Sequence, residues 1–266
     1  MKRLLAIVFC FLPFVSCEDV IDLDLNEAEP RLVIDAEIVK SVENDSSVAR
    51  VRISLTTPFF ENEPAFINNA MVTITDSNGA VFTLENTSDG FYSFPDFNPE
   101  VNTAYTLQVI YNTEIYSATE LLQTVVPLEY IEQDNDGGFL GDEIELKAFY
   151  TDPVGEENFY FFEGLGPPGN VRDVFDDEFT NGNQVFALYV TEDLAIGDDV
   201  YFYLYGVNEQ FYNYMSLLLQ QTGGGGPFET QPATVKGNIV NETNLENYPL
   251  GYFRISEVSV LSYTVQ

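Results

Sequence analysis

Met71-Val72-Thr73-Ile74-Thr75-Asp76-Ser77-Asn78-Gly79-Ala80-Val81-Phe82-Thr83-Leu84 consists of two alternating, β-branched runs around Asp-Ser-Asn-Gly. Val, Ile and Thr are stiff at χ1 and pack well on a pleated surface. Asn-Gly accepts the positive φ that a two-residue hairpin turn needs at both central positions. The stretch predicts a hairpin turning at Asn78-Gly79.

The same pattern extends to both sides. Upstream, Leu32 to Val39 is apolar and partly alternating, and Val48, Val51, Ile53 and Leu55 suggest a second strand with Arg50 and Arg52 on its other face. Downstream, Gly90 to Phe94 follows an Asp-Gly turn, and Tyr105–Tyr111 and Ile115–Thr119 make a hairpin over Asn112-Thr113-Glu114. Short strands with turns every 8–12 residues predict a β-sandwich over residues 31–125. The arrangement of strand, D-x-x-G, strand, D-G-x-Y and then Y-x-L-x-V is similar to immunoglobulin-like or transthyretin-like modules, with Tyr105 either a corner tyrosine or ordinary core.

Val125-Val126-Pro127 suggests a boundary, and residues 126–266 a second β-rich domain. Ile144–Tyr150 alternates, Asn158–Phe162 is aromatic, and strands are expected at Val185–Val190, Val200–Tyr205, Ala233–Ile239 and Tyr252–Tyr263. Gly164 to Gly182 reads as a long turn-rich stretch. One helix interrupts the strands near 208–222. Asn208 can cap it, Glu209 suits its first turn, and Phe211, Tyr214, Met215, Leu218 and Leu219 fall on one face. Gly223 to Gly226 reads as its exit. A phosphate-binding loop would open a helix and carry a Lys, which this run does not. The fold class is therefore all-β, with one amphipathic helix.

The first residues read as an address. Lys2 and Arg3 precede an apolar run from Leu4 to Val15, too short for a spanning helix, which needs ~20 residues. It ends at Ser16-Cys17, a small residue before Cys. This predicts a lipoprotein signal peptide over 1–16 and acylation of Cys17, anchoring the chain in the lipid bilayer. Residues 17–30 form an acidic tether. Glu18, Asp19, Asp22 and Asp24 suit either surface export or a solvated linker.

The chain of 266 residues carries 10 Lys+Arg against 43 Asp+Glu, and has neither His nor Trp. Without the signal peptide, which holds two of the bases, 8 remain against 43. Such a body repels nucleic acid and anionic lipid. Without His, a Ser-His-Asp triad, a Cys-His dyad and a His-ligated metal are impossible. Cys10 leaves with the signal peptide and lipid occupies Cys17, so no disulfide framework or free thiol is expected. Carboxylate catalysis alone stays open.

Two acidic groups raise calcium. Asp134-Asn135-Asp136-Gly137-Gly138 has the composition of a calcium loop, but its glycines arrive too early for an EF-hand, and it reads as a hairpin turn. Asp173, Asp176, Asp177 and Glu178 either bind Ca²⁺ or form a solvated loop. No other cofactor is expected.

The run Asn208-Glu209-Gln210-Phe211-Tyr212-Asn213-Tyr214, the Gln220-Gln221 helix end, Pro227-Phe228, Pro232, Val235-Lys236-Gly237-Asn238-Ile239 and Leu250-Gly251-Tyr252-Phe253 together resemble a family of Bacteroidota outer-membrane lipoproteins known as a domain of unknown function. The resemblance spans nearly the whole mature chain. The acidic residues near 173–178 and the tetraglycine fit it least well. Genes of the family often lie near TonB-dependent receptors. The resemblance therefore implies a surface accessory to an outer-membrane β-barrel, and carries no catalytic residue. Physically, Gly237, Asn238, Gly251, Tyr252 and Phe253 suit a strip that fixes the helix against a sheet. The expected function is a lipid-anchored, non-enzymatic accessory or binding protein of a TonB-dependent transporter. The alternatives are a carboxylate-dependent glycan-active enzyme, a glycan-binding module or a structural adhesin.

Overall fold

The structure is a computed structural model that describes residues 29–58, 63–138, 140–222 and 233–266. The expected signal peptide, the expected lipidation site Cys17, most of the expected acidic tether and the tetraglycine lie outside these residues.

Among the described residues, sixteen strands and one helix follow in order. The first sandwich uses β1 (Leu32–Ser41), β2 (Ser47–Leu55), β3 (Ala65–Phe66), β4 (Met71–Asp76), β5 (Val81–Ser88), β6 (Phe91–Pro95), β7 (Ala104–Tyr111) and β8 (Glu114–Leu121). Then come β9 (Tyr130–Gly137), β10 (Glu143–Thr151), β11 (Phe159–Gly166), β12 (Gly169–Asp176), β13 (Gln184–Val190) and β14 (Asp199–Val207). Helix α1 (Glu209–Thr222), β15 (Val240–Asn241) and β16 (Phe253–Thr264) complete the chain. The all-β reading with one helix is borne out.

Strand alternation explains the first core. On β1, Ile34, Ala36 and Ile38 point inward, and on β2 Ala49, Val51 and Ile53 meet them. Across the core, Val72 and Ile74 of β4 and Leu107 and Val109 of β7 close the layer. A fully buried side chain of this size contributes about 1.5–3 kcal/mol over leaving it in water. Strand β5 pairs with both β4 and β6, so one continuous sheet curls round this core.

The turn chemistry is distributed differently from expectation. The hairpin at 76–80 forms, but only Gly79 has positive φ. The Asp76 carboxylate accepts the N–H groups of Asn78 and Ala80, holding a longer loop in which Asn78 needs no left-handed backbone. The two-residue turns with both positions left-handed are Asp89-Gly90 and Asn112-Thr113. Tyr105 serves both offered roles. It is buried in the core, and its hydroxyl accepts the N–H of Glu100 at 2.9 Å.

The second core lies between the sheet β13-β10-β9 and the layer β12-β11-β14-β16. It is rich in rings, with Tyr150, Tyr160, Phe162, Tyr189 and Phe202 buried together. Two expectations fail here. Gly164–Gly182 is turn-rich only at Pro167-Pro168 and after Asp176, because β11 and β12 pair in register from Phe159↔Asp176 to Gly166↔Gly169. Gly166, Pro167, Pro168 and Gly169 occupy the hairpin tip, and Asn170, Arg172 and Asp173 of β12 are exposed on an edge strand. Residues 233–239 form no strand either. Only Val240 and Asn241 pair, with β8.

Strand β16 joins the halves. Its first part, Phe253 to Val258, runs parallel to β1, and Val258 to Thr264 runs antiparallel to β14. Ile239, Phe253 and Ile255, beyond the sequence boundary at 126, belong to the first core. The connector is tied to the same strand: the Gln123 N–H donates to the Ile255 carbonyl, and the Leu128 N–H to the Ser259 hydroxyl.

Candidate functional site

The C-terminal strip converges as a structural clasp. A Cβ on Gly237 would overlap the Gly251 carbonyl, and Gly251, at φ +96°, lies against the Ile34 carbonyl. Only glycine fits so close a backbone crossing at positive φ. Asn238 copies a strand partner, accepting the Phe253 N–H and donating to the Phe253 carbonyl. Glu120 of β8 gathers the rest. Its carboxylate accepts from Asn238 Nδ2 at 2.6 Å and from Asn208 Nδ2 at 2.9 Å. Burial pushes its carboxyl above the usual range, and the two amides pull it back.

The clasp positions α1. Asn208 Oδ1 accepts the Phe211 N–H at 2.8 Å, which is the expected N-cap. The predicted face of the helix then lies over the seam between the sandwiches. Phe211 packs edge-on against Phe161 and Tyr252, with Tyr214 and Met215 beside it. Burial, with the charge of Asp35 adding, pushes the Tyr214 phenol up to about 12.

Between α1 and the outer face of the first sandwich lies a groove of about 500 Å³. Its floor is the outward side of β1 and β2: Asp35 and Glu37 opposite Arg52 and Arg50. Arg172 and Glu163 of the β11–β12 hairpin and Arg254 of β16 form one wall, and Phe211, Tyr214, Met215 and Leu218 of α1 form the other. Four of the eight basic residues beyond residue 16 therefore line one groove.

The arginines are not equivalent. The Glu37 carboxylate pairs with both Arg50 and Arg254. The guanidinium of Arg254 also lies 4.3 Å from the Tyr205 ring centre, while its Nη1 is buried without a hydrogen-bond partner among the described residues. Arg172 pairs with Glu163 at 2.8 Å. Arg52 has no carboxylate within 4.0 Å among the described residues, and none of its guanidinium N–H groups is hydrogen-bonded there. It sits instead over the rings of Phe66 at 4.7 Å and Phe91 at 4.8 Å. Water displaced by the groove walls raises the Asp35 carboxyl above its ordinary value. Arg52 opposes that shift and Glu37 adds to it.

The two calcium candidates come apart. Asp134 and Asp136 lie on β9, and Gly137 and Gly138 lead into the turn toward β10. Asp173 lies three residues from Asp176 on β12, so alternation sends the two to opposite faces. Asp176 accepts from the Tyr212 hydroxyl, and Asp177 is buried and bonded to Asn181. Glu178 is exposed beyond them. Among the described residues no three carboxylates are grouped to hold a metal ion.

A second surface lies on the outside of the three-stranded sheet. Tyr130 stacks on Phe149 at 4.7 Å, Phe149 lies 5.4 Å from Phe186, and Tyr130 and Phe186 are 44% and 45% exposed. Strand alternation predicts rings outside as well as inside here, but nothing in the sequence separates this ladder from core. The groove was missed for another reason. Arg50 and Arg52 are recognisable as an outward face, whereas Arg172 and Arg254 reach it only through pairing across more than 100 residues. The usable signal was the scarcity of bases, which makes two arginines on one strand face unusual.

Among the described residues no helix is long and apolar enough to cross a membrane. No curated protein matches the chain. Among solved structures, a two-domain fibronectin type-III segment from chicken tenascin is similar over 66% of this chain and 90% of that one, at 14% identity. Its TM-score of 0.19 is too low to support an argument about strand arrangement. A family model described as a domain of unknown function (DUF4249) matches residues 18–262, and the chain belongs to that family.

Proposed function

We propose that this chain is a lipid-anchored accessory protein of a bacterial outer membrane, carried on Cys17, that docks on a TonB-dependent β-barrel and binds a ligand during uptake. The observation that carries the binding role is the groove. It combines a largely preformed concavity, aromatic and aliphatic walls and a few oriented polar groups, the ordinary composition of a small-molecule site. The lipobox at Ser16-Cys17 and the acidic residues after it support the anchoring and a surface-facing location. The barrel partner rests on the resemblance to Bacteroidota lipoproteins. Affinity purification of a C-terminally tagged copy from detergent-solubilised outer membranes tests it. A barrel in stoichiometric ratio is expected. Purification of the protein alone, from a fraction whose barrels are intact, would overturn the docking role.

One observation favours a carboxylate-dependent glycan-active enzyme as the second reading. Asp35 and Glu37 stand two residues apart on one strand face, about 6.6–6.8 Å along the strand, and one of them has a raised carboxyl. Against it, Glu37 is held by two arginines, which costs it freedom to attack or to activate water. Hydrolysis of an aryl-glycoside panel that Asp35→Asn abolishes would establish this reading in place of the first.

A further inference from the structure

Charge is the starting point. The chain beyond residue 16 holds 43 acidic residues and 8 basic ones, yet the groove holds four arginines against Asp35, Glu37 and Glu163. With all three acids ionised, the groove still carries one net positive charge inside a strongly negative body. A concave site with low-dielectric walls focuses that field on whatever enters.

The surplus has an address. Arg172 is matched by Glu163, and Arg50 and Arg254 share Glu37. Arg52 remains, its guanidinium lying against Phe66 and Phe91 and its N–H donors unused among the described residues. A guanidinium stacked on rings keeps its in-plane donor fork fixed, and that fork matches the two oxygens of a carboxylate. The helix side supplies the complement. Tyr214, Met215 and Leu218 offer an apolar wall across from the arginine row.

We propose that this groove binds an organic monoanion: a carboxylate engaged by Arg52, attached to an apolar or aromatic body that lies along α1. A monocarboxylate neutralises the one net positive charge, whereas the second charge of a dianionic phosphate would meet only the surrounding acidic body. The apolar wall selects a body that a simple acid such as acetate lacks. The volume admits a ligand of the size of an acylated amino acid or a short peptide. The site is a property of the isolated protein and does not require a barrel partner. The purification experiment and this one therefore fail independently.

The test is titration calorimetry of the whole mature chain from Cys17 onward in non-ionic detergent, with benzoylglycine as probe and its neutral amide, acetate and inorganic phosphate as comparisons. Benzoylglycine is expected to bind about tenfold or more tighter than its amide, the scale of one charge-assisted hydrogen-bonded pair. Acetate and phosphate are expected to bind more weakly than benzoylglycine by a similar factor. Arg52→Gln is expected to remove the preference for the acid while leaving the melting temperature unchanged. Arg52→Lys, which keeps the charge but not the fork, is expected to recover only part of it. Absence of benzoylglycine binding, equal binding of acid and amide, unchanged binding by Arg52→Gln, or phosphate binding as tightly as benzoylglycine would each overturn the proposal.

Discussion

The two faces of the β1–β2 pair are set by one register and do opposite work. Inward, Ile34, Ala36 and Ile38 meet Ile53, Val51 and Ala49, all at most 4% exposed. Outward, Asp35 and Glu37 meet Arg52 and Arg50. In an ordinary sandwich that outer face is simply wetted. Here α1 and the β11–β12 hairpin wall it in, and a polar strand face becomes the floor of a groove. The difference shows that alternation decides which residues make the core. What the other face becomes is decided by distant chain that folds over it.

Breaking the inner face should have the largest effect. Ile34→Ala removes fully buried atoms from the centre of the first core, at about 2–5 kcal/mol of stability. Chemical denaturation measures it, and a loss below about 1 kcal/mol would mean that the core is looser than the packing implies. Next comes the backbone crossing that ties the C-terminal strip to β1. Gly251→Ala must place a Cβ at φ +96° against the Ile34 carbonyl, at a cost of about 1–3 kcal/mol from the dihedral alone. It should also weaken the Ile34 N–H to Leu250 carbonyl bond, read as faster amide exchange at Ile34.

Glu120→Ala is expected to cost about 1–3 kcal/mol, since it strands the amides of Asn208 and Asn238 in a partly buried place. It should loosen α1 before it loosens the sandwich, and hydrogen exchange along 209–222 distinguishes the two. The outer face should respond least. Arg52→Gln is expected to change stability by less than about 0.5 kcal/mol, because Arg52 is exposed and has no ion pair among the described residues.

Asp35 sharpens the comparison through pH. Its carboxyl is raised in the folded protein, so the folded state holds the proton more tightly than the unfolded chain does. Its contribution is most favourable below the unfolded carboxylate pKa, and is lost as pH rises through the raised folded value. Asp35→Asn should therefore be the more stable protein at pH 7, with the gap closing as pH falls toward the ordinary carboxylate range. A gap that widens on acidification would reverse the assignment.

Much of this was legible from the residues because local rules were obeyed. β1, β2 and the β7–β8 hairpin follow from alternation and turn residues, and α1 follows from Asn208 and the spacing of Phe211, Tyr214 and Met215. The strip Gly237-Asn238 and Gly251-Tyr252-Phe253 could be recognised as a unit, although its partner Glu120 could not, since nothing local marks one carboxylate in 43. The β11–β12 hairpin was hidden because its polar edge strand and Pro-Gly tip look like a loop. The continuity of β16 through both halves was hidden because one strand's pattern does not say which neighbours it pairs with. The groove needed all of these at once.

The most direct test of the groove as the functional face is a crystal structure of the protein soaked with benzoylglycine. The account predicts its carboxylate within hydrogen-bonding distance of the Arg52 guanidinium and its ring against Tyr214 or Leu218. Density for the probe on the Tyr130–Phe149–Phe186 ladder, with the groove empty of it, would contradict the account and move the binding face to the second sandwich.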